Sequence, residues 1–100
     1  GIMITDATAT ITEVNDAFFR ITGYKSEEVL GENAKILQSG RHSPEFYTDM
    51  WGRLLLEGYW EGEIWNRRKC GEIYPEMLTI SAVNNADGLV QHYVSLCRWL

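Results

Sequence analysis

The sequence predicts an α+β domain in which a five-stranded antiparallel sheet is covered on one face by helices. Three observations predict it. Strand-like runs fall in two blocks, two at the start of the chain and three at its end. The stretch between the blocks carries helix caps and helix stops instead. The last three runs are joined by connections short enough only for hairpins, so their strands run antiparallel.

The elements follow in order. Ile2-Met3-Ile4-Thr5 is a short apolar run, Asp6-Ala7-Thr8 reads as a turn, and Ala9 to Val14 alternates with threonine and glutamate, which makes a hairpin. Asn15 then caps a short helix whose apolar face is Ala17, Phe18 and Ile21 and which Gly23 ends. Ser26 starts a second helix, with Glu27 and Glu28 on its positive end and Gly31 as its stop. Asn33 to Leu37 is a third short segment. Ser43-Pro44-Glu45 opens the longest helix, with serine as cap and proline at the first position. Phe46, Met50, Trp51 and Leu54 give its period, and Gly58 closes it. Trp60 to Arg68, Glu72 to Val83 and Leu89 to Leu100 are the remaining strands, joined by Lys69-Cys70-Gly71 and by Asn84 to Gly88.

Composition bounds the function. One hundred residues, 45% hydrophobic and 23% charged, make a single globular domain over residues 1–100, read as a piece of something longer. A net charge of −5, from 9 basic and 14 acidic residues, argues against nucleic acid. The one basic cluster, Arg67-Arg68-Lys69, is flanked by Glu61, Glu63 and Glu72 and reads as a solvated hairpin end. No apolar run is long enough to insert in a membrane, and no signal peptide is present. Two cysteines, Cys70 and Cys97, show neither C-x-x-C nor metal-ligand spacing, which suits a reducing, cytoplasmic setting. No nucleophile–base pair, phosphate loop or metalloprotease motif marks an enzyme.

Five pieces carry a family resemblance: Ile4-Thr5-Asp6, Val14-Asn15-Asp16-Ala17-Phe18, Ile21-Thr22-Gly23-Tyr24, Glu27-Glu28-Val29-Leu30-Gly31, and the run from Trp60 to Lys69. Each is weak alone. In this order, over nearly the whole chain, they resemble a PAS domain, the sensor module of bacterial signalling proteins. The resemblance implies strand order 2-1-5-4-3 and a cavity between sheet and helices that holds flavin, haem, a small metabolite or nothing. It also implies dimerisation and an attached output domain, a cyclic-di-GMP enzyme or a histidine kinase.

The resemblance also lets each cofactor be tested. Light-oxygen-voltage domains place their adduct-forming cysteine where this chain has Ala34, which removes that photochemistry. Lys35 and Gln38 keep two of their neighbouring residues, and Asn66 matches the first flavin-binding asparagine. Glu76 stands at the second asparagine, and a carboxylate donates no hydrogen bond to a flavin carbonyl unless protonated. Redox PAS domains that bind FAD share Trp51-Gly52-Arg53-Leu54 and Asn66-Arg67-Arg68-Lys69, but their glutamate is Ala34 here. FAD is thus compatible with two positions of three. Haem is disfavoured: the long helix has no histidine, and His42 and His92 read as surface or strand residues.

Strand alternation puts Ile64 and Asn66 on one face with Glu76, Leu78 and Ile80, and with Tyr93, Ser95 and Cys97. Glu76 is then either solvated near a cavity mouth or bonded to Asn66 or a backbone amide. The expected ligand residues are Asn66, Trp51, Glu76, Lys35 and Gln38. Trp65 and Met77 fall on the opposite face, where a flanking helix or second subunit is expected. Three readings follow: a ligand sensor controlling an output domain, a ligand-free interaction and dimerisation module, and an FAD redox sensor. Cavity volume separates the first two, since a sensor pocket takes roughly 300 Å³ or more. The ending Arg98-Trp99-Leu100 replaces the family's usual Asp-Ile-Thr, which puts the polar clasp to the output segment in doubt.

Overall fold

The computed structural model describes residues 1–100. Five strands, β1 (Ile2–Asp6), β2 (Ile11–Val14), β3 (Tyr59–Arg67), β4 (Ile73–Asn84) and β5 (Val90–Trp99), form one antiparallel sheet in the order 2-1-5-4-3. Three helices, α1 (Asp16–Thr22), α2 (Ser26–Val29) and α3 (Pro44–Glu57), lie between the two strand blocks, with a 3-10 turn at Ala34–Leu37. The α+β expectation and its strand order both hold.

Local chemistry explains most boundaries. Asn15 Oδ1 accepts from Phe18 N at 3.0 Å, capping α1, and from Ile2 N at 2.9 Å, tying the helix start to β1. Gly23 and Gly58 end α1 and α3 in the left-handed conformation, at φ 79° and 72°, which a β-carbon would disfavour. Ser43 caps α3 with Pro44 behind it. The second helix departs from expectation. Lys25 occupies the cap position and Ser26 is already helical; Glu28 Oε1 reaches back to accept from Lys25 N at 2.9 Å. The carboxylate three residues on does the work assigned to the serine hydroxyl. The strand β2 likewise starts two residues late, because Ala9 turns left-handed at φ 66°.

Two apolar clusters hold the helices on the sheet. Met50 and Leu54 of α3 pack on Trp60, Ile64, Leu78, Ile80, Tyr93 and Cys97. Ile11, Phe18, Val29 and Leu37 form the second. On α1 the buried pair is Phe18 and Thr22, with Ala17 and Ile21 only half-buried; Thr22 hides its hydroxyl by donating to Phe18 O at 2.8 Å. Gly62 is bare because a β-carbon there would stand 3.0 Å from the Trp60 indole, which folds over it.

Replacing Asn15 by alanine removes both the cap and the β1 tie. A loss of about 1–2 kcal/mol is expected, read in urea unfolding as a lower midpoint with unchanged slope.

Candidate functional site

The two clusters do not meet completely. Between them lies a cavity of about 140 Å³, bounded by the sheet below and by α1, the 3-10 turn and α3 above. The β3–β4–β5 register builds its floor. Ile64 sits opposite Glu76, Asn66 opposite Tyr74, Leu78 opposite Cys97 and Ile80 opposite Ser95. All eight of these side chains are buried. Period-two alternation predicted this face, and all five expected ligand residues line the cavity. They do so differently. Asn66 and Glu76 are buried, Trp51 is half-buried, and Lys35 and Gln38 are exposed at the rim. Gln38 also forms a backbone bridge to Asn66, closing the rim onto β3. Trp51 meets Tyr93 edge-on, with ring centroids 5.1 Å apart.

Glu76 is the centre of the site, and it is bonded rather than solvated. Only 2% of it is exposed. Asn66 Nδ2 donates to Oε1 at 2.6 Å, reaching diagonally across the pair of strands, and the Tyr74 hydroxyl donates to Oε2 at 3.2 Å. Burial pushes the Glu76 carboxyl above its ordinary value, and the Asn66 and Tyr74 hydrogen bonds only partly offset this. Burial beside Glu76 also raises the Tyr74 hydroxyl, and it pushes the Cys97 thiol up to about 12, so that thiol stays protonated.

Sequence reasoning missed several cavity residues, among them Met3, Thr5, Ala9, Thr22 and Tyr47. Thr22 and Tyr47 are polar types at positions that their helices turn inward, where apolar periodicity gives no signal. It also misread Arg68. The hairpin end is not wholly solvated: Arg68 Nε pairs with Glu72 Oε1 at 2.6 Å, and its Nη1 donates to Ile21 O near the end of α1. Its guanidinium lies between two rings, 4.0 Å from the Tyr74 centroid and 4.5 Å from that of Trp99. The planar cation thus stacks on Trp99, the last residue of β5. Since Tyr74 also bonds Glu76, contacts run unbroken from the cavity to Trp99.

The histidine expectation is also corrected at one position. His92 is exposed on β5, but His42 is half-buried. Its ring stacks on Phe46 at 3.9 Å, and its Nε2 accepts from Trp65 N at 2.9 Å. That bond requires neutral imidazole, and burial lowers its proton affinity accordingly. On the outer sheet face Trp65 and Met77 are half-buried, with the Arg41 guanidinium 4.0 Å above the Trp65 ring. Cys70 is exposed and free.

Two outcomes test this geometry. Glu76 has a raised proton affinity in the fold, so the folded state binds more protons than the unfolded one above pH 4.5, and stability falls as pH rises through that window. Glu76→Gln removes the slope and raises Tm at neutral pH, measured by thermal melts across pH. Arg68→Ala is expected to cost about 2 kcal/mol and to red-shift Trp99 emission, and Arg68→Lys restores little, because an ammonium does not replace the stacked plane.

With the geometry established, the chain was compared with known proteins. The matching family is described as a PAS domain and covers residues 1–98. A nitrogen fixation regulatory protein of Klebsiella pneumoniae is 37% identical over 98 residues, which is 98% of this chain and 20% of that protein. A blue-light-activated histidine kinase of Brucella ovis is 36% identical over 85 residues, 85% of this chain and 17% of that protein. The chain therefore spans about a fifth of these relatives. Among solved structures, an RNA-binding light-oxygen-voltage receptor superposes with a TM-score of 0.87 at 30% identity, covering 98% of this chain and 28% of that one. A PAS domain from Colwellia psychrerythraea superposes at 0.92 with 19% identity, covering 99% and 84%, a likeness of fold.

Proposed function

The chain belongs to the PAS domain family, and from that premise we propose that it is the sensing module of a larger signalling protein, taking a small ligand in the cavity above Glu76 and Asn66. The observation that carries this reading is the pairing of a real void with a buried, underused polar group. A pure interaction module has every reason to fill 140 Å³ with a larger side chain, since such a void costs several kcal/mol. It also has no reason to keep a carboxyl at 2% exposure there.

The volume bounds the ligand. It falls short of the roughly 300 Å³ expected of a sensor pocket, so size alone does not separate a sensor from an interaction module, and it is close to the ~150 Å³ that accepts one benzene ring. A three-ring flavin does not fit between these walls; Trp51 and Met50 would have to move off the sheet to admit it. The polar edge matches only in part, because Asn66 commits one of its two amide hydrogens to Glu76 and Glu76 stands where a second asparagine would be needed. Flavin remains the second reading, favoured by the 30% identity to a light-oxygen-voltage receptor and by Asn66 itself. Under it Ala34 supplies no thiol for an adduct, and Lys35 would face the phosphate at the rim.

Signal passage follows the contacts. A ligand that prefers one arrangement of Glu76 and Tyr74 shifts the population of that arrangement. Tyr74 stacks on Arg68, and Arg68 holds Trp99 at the end of β5. Catalysis would belong to an attached output domain, a kinase or a cyclic-di-GMP enzyme. A second copy would pair on the outer sheet face, where Met77 and Trp65 lie with Ile2 and Leu96, the last two 36% and 50% exposed. No helix is long and apolar enough to cross a membrane, and the reading is of a cytoplasmic module.

The deciding measurement is an absorbance spectrum of freshly purified protein. The expected result is absorption by tryptophan and tyrosine alone. The paired near-ultraviolet and blue bands of an oxidised flavin, released on heating, would overturn the small-ligand reading in favour of the flavin one.

A further inference from the structure

The cavity chemistry narrows the ligand further, on the ligand-sensing reading given above. Glu76 is a buried carboxyl with no side-chain cation paired to it; the Gly1 amino group is near enough to favour its charged form but makes no bond to it. The three ion pairs of the chain are Asp49–Arg53, Glu72–Arg68 and Glu28–Lys69, all outside the cavity. Lys35, the one basic side chain among the lining residues, is exposed at the rim. The amino group of Gly1 donates to Cys97 O at 2.8 Å.

Glu76 itself keeps free acceptor sites, while elsewhere in the cavity lining the Tyr47 hydroxyl is buried without a partner. An ionised carboxylate offers about four lone-pair sites. Asn66 Nδ2 occupies one on Oε1, and the Tyr74 hydroxyl occupies one on Oε2. Asn66 uses one of its two Nδ2 hydrogens on Glu76, which leaves one N–H donor and the Oδ1 acceptor for the rest of the site. A ligand that satisfies this edge must bring N–H donors. It must also bring positive charge, because a neutral amide leaves Glu76 uncompensated and an anion adds like-charge repulsion. The walls are mostly apolar, 13 of 21 lining residues, so a strongly hydrated ammonium loses more on entry than a delocalised planar cation. The net charge of −5 gathers cations at the surface.

We propose that the cavity takes a flat cation of single-ring size, an amidinium or an aminated heterocycle, whose N–H groups bond to the Glu76 carboxylate and to Asn66 Oδ1.

Benzamidine, benzamide and benzoate test this, since they share a ring and differ in charge and donors. Binding is followed by two-dimensional NMR of the whole chain, reading Ile64 and Leu78 methyls and the Asn66 side-chain amide. Benzamidine is expected to bind at least about tenfold more tightly than either partner compound. In Glu76→Gln, checked for fold by its amide spectrum, the advantage is expected to shrink to about twofold or less. Equal or tighter binding of benzamide or benzoate to the wild-type chain overturns the cation assignment and leaves the cavity as a ligand site. An unchanged spectrum with all three overturns the flat-cation assignment, while the sensing reading stands or falls on ligands of other chemistry. The wild-type comparison decides even where the variant fails to fold.

Discussion

The register of β3, β4 and β5 is the constraint on which everything above the sheet depends. Side chains alternate with a period of two, so a slip of one residue between β3 and β4 would exchange Ile64 and Asn66 for Glu63 and Trp65. The same slip on β4 would carry Glu76, Leu78 and Ile80 to solvent. The register is held because the inner face of all three strands is apolar apart from a few polar groups, of which Asn66, Tyr74 and Glu76 bond one another. The Asn66–Glu76 bond is both a product of the register and a check on it: it forms only when the two residues stand on neighbouring strands, one pleat apart, facing the same side. An enclosed void is tolerated above such a floor because α3 and the 3-10 turn rest on the two flanking clusters rather than on each other.

Much of this was legible in the sequence, and the reason is periodicity. Alternation in Trp60 to Arg68, in Glu72 to Val83 and in Leu89 to Leu100 identified the inner face, including Asn66, Glu76, Ser95 and Cys97. The Asn15, Ser43, Gly23 and Gly58 caps marked helix ends, since those residues relieve unsatisfied backbone groups by local chemistry alone. What was not legible depends on contacts distant in sequence. Lys25 and Ser26 compete for one cap, and the winner was decided by whether Glu28 folds back. Arg68 reads as one solvated charge among three until Trp99, thirty-one residues on, arrives beside it. His42 reads as a loop residue until α3 turns Phe46 under its ring and β3 offers the Trp65 amide. Cavity volume is the residue of all packing choices at once, and no local pattern encodes it.

Glu76 and Arg68 share one strand pair and opposite electrostatic problems. Glu76 is an acid that burial leaves short of positive charge, and the fold relieves it with neutral donors. Arg68 is a base set between two aromatic faces and one carboxylate, and the fold relieves it with ring electrons and a helix-end carbonyl. Tyr74 lies between them and serves both, its hydroxyl toward Glu76 and its face toward Arg68. The two groups are thus joined through a single rigid ring.

The hydrogen bond from Trp65 N to His42 has one more consequence. The strand β3 is at the border of the sheet, and its outward amides are a template on which a foreign strand can build. Here the imidazole takes one such amide, Gln38 bridges to Asn66 beside it, and the Arg41 side chain lies over the Trp65 ring. The segment from Gln38 to His42 thus works as a selvedge, finishing the woven border so that it does not recruit another thread. The opposite border needs less finishing, because β2 is four residues long. Fibre formation in this domain should begin, if anywhere, where that selvedge comes undone.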